Sequence, residues 1–203
     1  MQLTVEDTIQ WLKQFNDRLS EQKDYLSQLD RAIGDGDHGI NMARGFQQVA
    51  EGLDGDFDEV SDVLKKTATT VMSKVGGASG PLYGTAFLKM SMECKGKDVD
   101  AAVLADMVEA ALGGIKQRGK SEEGEKTMID VWAPVLGTLQ EEDFDAERLK
   151  QTAEEAMQKT EDMTATKGRA SYFKEKSQGH LDPGAVSSYY LFAELADVIG
   201  KGA

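Results

Sequence analysis

The chain has 203 residues, 40% of them apolar, enough to bury a sizeable core, so a disordered chain is excluded. Lys plus Arg is 23 against 36 for Asp plus Glu, a net charge of −13 that argues against nucleic acid or an anionic membrane as partner. Cys94 is the single cysteine, which rules out an internal disulfide, and no apolar leader or run of 18 apolar residues is present, so a cytoplasmic protein is expected.

Helical spacing dominates and no stretch alternates at period two. Val5, Ile9, Leu12, Phe15 and Leu19 step by three or four; Val60, Val63, Leu64, Thr67, Val71 and Val75, and Val103, Met107, Ala111, Leu112 and Ile115, keep to one helical face in the same way. The spacing and its punctuation predict an all-α fold of eight helices in one domain, residues 1–203. The spans are about 4–29, 38–53, 58–75, 80–94, 100–118, 126–142, 145–167 and 183–200. Short links make successive helices antiparallel, so links after helices 1, 3, 5 and 7 fall at one end. That set holds the glycine-rich loops, both histidines and most of the basic loop residues. The other set reads LDGDFD, KGKD and EEDFD and is bland. A site is expected at the first end.

Asp30, Asp35 and Asp37 lie within GDGDHG and its approach, with glycines that let carboxylates converge. Converged carboxylates suit Mg²⁺ or Ca²⁺; the spacing is not that of an EF-hand. The alternative is a solvated acidic turn with Asp37 capping the second helix. In GGASGPLYGT, small residues run into a helix start, which suits a phosphate. They serve equally as a helix stop at Gly76–Gly77 and a Ser79 cap. Gly114 to Ser121 satisfies the P-loop pattern GxxxxGK[ST], but helical periodicity precedes it where a strand is required, and the pattern is rejected. Residues 167–184 combine a basic stretch with Asp182-Pro183, a helix start. The stretch reads as nucleotide contact or as a solvated basic run before a cap. No GxSxG elbow or zinc spacing occurs; Cys94 reads as structural, and Met128, Met157 and Met163 as core or pocket wall.

In this order and spacing, GDGDHG, GGASGPLYGT, RGKSEEGEKTMIDVW and KGRASYF…GHLDPGA resemble the L subunit of dihydroxyacetone kinases, over essentially the whole chain. The resemblance implies an eight-helix antiparallel barrel with ADP, transiently ATP, at one end. It implies that Asp30, Asp35 and Asp37 hold two Mg²⁺ ions. His38, Gly39, Ile40 and Asn41 would line the nucleotide, Ser79 and Gly80 would contact phosphate, and Gly119, Met128, Asp182, Pro183 and Gly184 would border base or ribose. Arg169 would lie near the phosphates. The family often has Thr where this chain has Ile40. No residue of this chain is assigned as catalytic.

Family members occur fused to a dihydroxyacetone-binding domain and using ATP, or as a separate subunit. In the separate form an M subunit of the sugar phosphotransferase system rephosphorylates bound ADP, and the phosphoryl group passes to dihydroxyacetone on a K subunit. From Met1 and an end just past the last helix, the separate form is expected. The alternatives are an ATP-exchanging kinase half with its own substrate subunit, and a nucleotide-state regulator of a transcription factor.

Overall fold

The computed structural model describes residues 1–141 and 145–201. The helices are α1 (Val5–Glu21), α2 (Lys23–Ile33), α3 (His38–Gly52), α4 (Val60–Lys74) and α5 (Ser79–Cys94), followed by α6 (Ala101–Gly119), α7 (Ile129–Leu139), α8 (Ala146–Lys159) and α9 (Pro183–Gly200). A two-residue antiparallel pair, β1 (Gln2–Leu3) with β2 (Val99–Asp100), ties the N-terminus to the start of α6. The all-α expectation holds.

Packing follows a closed circuit: α1 against α3, α3 against α4, and so on through α9, which returns to α1. The eight walls are α1 and α3 to α9. α2 extends the first wall and packs on α3 and α9. The barrel interior is filled by aromatic side chains: Phe15 meets Phe46 edge-on at 4.7 Å between centroids, Phe46 meets Phe87 at 6.1 Å, and Trp132 meets Phe192 at 4.8 Å. All five are fully buried.

Several boundaries differ from the sequence reading. The first helix is two, divided at Gln22 (φ −97°, ψ 8°), whose N–H still bonds to the Arg18 carbonyl. Neither Gly nor Pro marks the break, and apolar spacing continues across it. The sixth starts at Ile129 rather than 126, because Lys126 has φ 62° and the Asp130 carboxylate folds the preceding turn by accepting the N–H groups of Gly124 and of Thr127, the latter at 2.7 Å. The seventh ends at Lys159, continues through a 3-10 turn, Thr160–Asp162, and then leaves the helical path. A second 3-10 segment, Arg169–Ser177, occupies what reads as loop. The expected acidic link EEDFD lies partly outside the described residues.

Candidate functional site

The links after α2, α4, α6 and α8 meet at one end around an open-mouthed cavity. α2 brings Asp30 in its last turn. The turn 34–37 brings Asp35 and Asp37, and Gly36 there has φ 79°, a conformation that favours glycine. One oxygen from each of the three carboxylates lies within 4.8 Å of the others. Oxygen-only, anionic and convergent, this set fits a hard divalent cation. Asp30 is buried, Asp37 half-buried and Asp35 exposed.

Asp37 stands at the N-cap position of α3, yet its side chain makes no cap bond. The Asp30 carboxylate does that work, accepting the N–H of Asp37 at 2.8 Å and of His38 at 3.1 Å. Nor does Ser79 cap α5: Ala78 holds that position. The Ser79 hydroxyl is instead 3.0 Å from His38 Nδ1, while His38 Nε2 lies 3.0 Å from the Ser187 hydroxyl. From Ser187 the network continues through the Tyr83 hydroxyl at 2.8 Å to Ser188 at 3.0 Å, whose oxygen accepts the Trp132 indole N–H at 3.0 Å. Burial holds the His38 pKa down at about 4, against a smaller opposing effect of Asp37. The ring is therefore neutral at pH 7, fixed at both nitrogens and part of the cavity wall.

α3, α5 and α9 begin at the cavity with His38, Ser79 and Pro183, so the positive ends of three helix dipoles point into it. Asp182 caps α9 by accepting the Ala185 N–H at 2.8 Å. Desolvation raises its pKa to about 7, more than its cap bond and the Lys126 charge lower it. Met128 and Pro183 supply apolar wall. Arg169, from the last link, pairs with Asp35 at 2.7 Å, so in this structure it meets a carboxylate of the acidic cluster.

Of the sequence-predicted site residues, the cavity wall includes Asp30, Asp35, Asp37, His38, Asn41, Ser79, Met128, Arg169, Asp182, Pro183 and Gly184. Gly39, Ile40, Gly80 and Gly119 stand outside that wall. Gly39 is where α3 crosses α2, and a Cβ there would overlap the Lys23 carbonyl oxygen. Gly80 similarly abuts the Val75 carbonyl oxygen. Ile40 is 48% exposed on the outer face of α3. Gly119 is the last residue of α6, followed by Lys120 in the left-handed conformation, so the P-loop-like string is a helix end.

Sequence reasoning missed Lys126 and Asp130. Both are buried; Lys126 lies in the link between α6 and α7, and Asp130 in the first turn of α7. Two signals were available: an acid and a base in an otherwise apolar helix start, and their four-residue spacing. Gly76, Gly77 and Tyr83 also line the cavity.

A barrel of eight helical walls with an acidic cavity at one end, ringed by helix N-termini, defines a ligand-binding α-domain. Residues 32–197 match the family described as the DAK2 domain, and the chain belongs to that family. It is 54% identical over 185 residues to the ADP-binding subunit DhaL of PEP-dependent dihydroxyacetone kinase 1 from Listeria innocua, covering 91% of each chain. The ADP-binding subunit DhaL of the Escherichia coli PEP-dependent enzyme is 41% identical over 205 residues, covering 97% of this chain and 98% of that one. The dihydroxyacetone kinase of C. freundii has the same fold over 97% of this chain, with TM-score 0.75 and 20% identity, and this chain covers 34% of that longer protein. No helix among the described residues is long and apolar enough to cross a membrane.

Proposed function

We propose that this chain is the ADP- and Mg²⁺-binding subunit of a phosphoenolpyruvate-dependent dihydroxyacetone kinase, working as one domain over residues 1–203 in the cytoplasm. The observation that carries the reading is the pairing of three convergent carboxylates with three helix N-termini around one cavity. An acidic protein holds a nucleoside diphosphate most readily with metal between carboxylates and phosphates and N–H dipoles on the remaining oxygens. The names of the Listeria and Escherichia relatives agree with it.

Asp30, Asp35 and Asp37 would hold two Mg²⁺ ions, and ADP bound there would carry the phosphoryl group between donor and acceptor, a transfer that asks for alignment and charge neutralisation. The chain's own residues do the positioning. Asp30 fixes the turn that presents Asp35 and Asp37. His38 orients the Ser79 hydroxyl at the start of α5. Met128, Pro183 and Gly184 form the wall for the nucleoside, and Arg169 stands at the mouth, where a guanidinium meets phosphate. No general base is assigned to this chain, since the acceptor is activated on the dihydroxyacetone-binding K subunit. The donor is the phosphotransferase-system M subunit, and a transcription regulator is a further candidate partner.

The deciding experiment supplies the chain with K subunit and dihydroxyacetone, with excess Mg-ATP alone in one arm and phosphoenolpyruvate with the donor proteins in the other. At most about one turnover per subunit is expected from ATP and sustained turnover with the donor chain. Sustained turnover on ATP alone would replace the resident-cofactor reading with an exchanging kinase.

A further inference from the structure

Lys126 is the least ordinary residue near the cavity, and the proposed chemistry does not use it. The residue is 1% exposed and makes no salt bridge among the described residues. The ammonium donates to four backbone carbonyls: Thr160 at 2.7 Å, Met163 at 3.0 Å, Ser177 at 2.8 Å and His180 at 2.6 Å. An ammonium has three protons, so one is shared between two acceptors. A buried charge without a carboxylate partner is costly, and a full set of charge-assisted hydrogen bonds offsets that cost.

The positions of the four carbonyls matter. All belong to the single chain segment between α8 and α9, two near its start and two near its end. That segment carries the cavity-lining residues Lys167 to Ala170, and Asp182 to Gly184 follow directly. Lys126, Thr127 and Met128 form the adjoining wall, and a Cβ at Gly184 would lie 3.6 Å from Met128 Cβ. One side chain thus joins two walls of the same cavity, and the backbone at Lys126 is bent into the left-handed region (φ 62°) to present it. Apolar anchoring of the segment comes from Ala165 and Ala170, which pack on Ile33 in a small cluster separate from the main core, and from Leu181, half-buried against the main core. Among the other tethers are the Ala165 N–H to the Ser177 hydroxyl at 2.8 Å and the Gly179 N–H to the Glu161 carbonyl at 2.8 Å. Both lie within the region that the ammonium gathers.

We propose that Lys126 is a positioning residue: its ammonium pins the 160–182 segment shut as a cap over the cavity and thereby sets how long a nucleotide stays bound. This rests on the functional reading above and deepens it, since residence separates a relay that keeps its ADP from a kinase that exchanges it. Segment closure can be read in nucleotide-free protein, so the two can be tested apart.

The test uses the full chain, with Lys126→Met to keep the aliphatic stem and Lys126→Ala to open space for an added amine. In nucleotide-free protein, amide hydrogen exchange over 160–182 is expected to quicken at least tenfold in both variants while α4 and α5 exchange as in the parent. Release of labelled ADP in Mg²⁺ buffer is expected to quicken at least tenfold. Propylamine, which replaces the missing stem and ammonium, is expected to slow both rates in the alanine variant and to leave the parent unchanged, a rescue that general loosening would not give. Cap exchange within twofold of the parent in both variants would overturn the pin, as would quickening of α4 and α5 to the same degree. Parent protein that binds no ADP would overturn the functional reading instead, and the exchange arm still decides the pin.

Discussion

Asp30 caps the helix that Asp37 begins: the Asp30 carboxylate accepts the Asp37 N–H at 2.8 Å, so one cluster member is structural before any ligand arrives. It also accepts the His38 N–H. Asp37 and Asp35 carry no comparable backbone duty.

The three carboxylates therefore separate by experiment. In EDTA, Asp30→Ala should lower the unfolding free energy by about 2–3 kcal/mol, because a buried charged acceptor is lost from two N–H groups. Asp37→Asn should change it by no more than about 0.5 kcal/mol, as for a site away from such features. Both should lose Mg²⁺-dependent ADP binding. Urea titration reads the first effect and calorimetry the second; equal destabilisation by the two variants would contradict the division of labour.

Ligand removal should be visible in melting. Three converging carboxylates gain a counter-charge when metal and nucleotide bind. A ligand at about 1,000 times its dissociation constant adds roughly 4 kcal/mol. For a chain of this size that moves the midpoint by on the order of 10 °C. A melting curve unchanged by stripping nucleotide and metal, with the loss verified, would remove ADP as a resident cofactor.

The end of the barrel where the site lies was legible from helix count and loop composition, because antiparallel parity needs no atomic detail. Asp35 and Asp37 were legible because glycines adjoin them, and Asp30 because it lies on the approach to that turn. What stayed hidden are long-range assignments. Nothing local says that Asp30, seven residues upstream, takes the cap from Asp37. Nor does any spacing reveal that Lys126 gathers carbonyls 34 to 54 residues away. The seventh helix was read too long for the same reason: the Thr160 and Met163 carbonyls go to an ammonium rather than to a further helical turn. Gly39 and Gly80 sit inside the motifs, but their lack of a side chain serves helix packing.

Asp182 gives a pH signature. Its pKa is raised to about 7 in the folded chain, chiefly by desolvation, from an ordinary value of 3.8. Between these values the folded state holds the proton that the unfolded state has lost. Stability from this group is therefore complete below about pH 4 and falls as pH rises through 7. His38 shifts the other way, down to about 4, so its contribution rises with pH and partly masks the trend. Asp182→Asn keeps a cap acceptor and removes the titration. In EDTA, the variant and parent should unfold alike near pH 4, and the variant should become the more stable as pH approaches 8. Parallel curves across that range would show that Asp182 is ionised throughout.

Gly39 offers a way to disturb the acidic cluster without touching a carboxylate. α3 crosses α2 at this residue, and a Cβ there would collide with the Lys23 carbonyl oxygen and lie 2.6 Å from the Ser27 hydroxyl and 2.8 Å from the Ser27 nitrogen. Backbone cannot step aside as a side chain can, so the helices must part. The cost of such overpacking is about 1–3 kcal/mol. The parting also separates Asp30 on α2 from the turn it caps, where Asp35 and Asp37 stand. Gly113 is the matched control: it is exposed within α6, and a Cβ there meets nothing within 4 Å. Gly113→Ala should stabilise by up to about 1 kcal/mol through helix propensity alone. Gly39→Ala should destabilise and weaken Mg²⁺-dependent ADP binding at least tenfold, whereas Gly113→Ala should leave binding unchanged. Urea titration with calorimetry on both variants checks this. Full ADP affinity in a destabilised Gly39→Ala chain would show that the α2–α3 crossing does not set the carboxylate geometry.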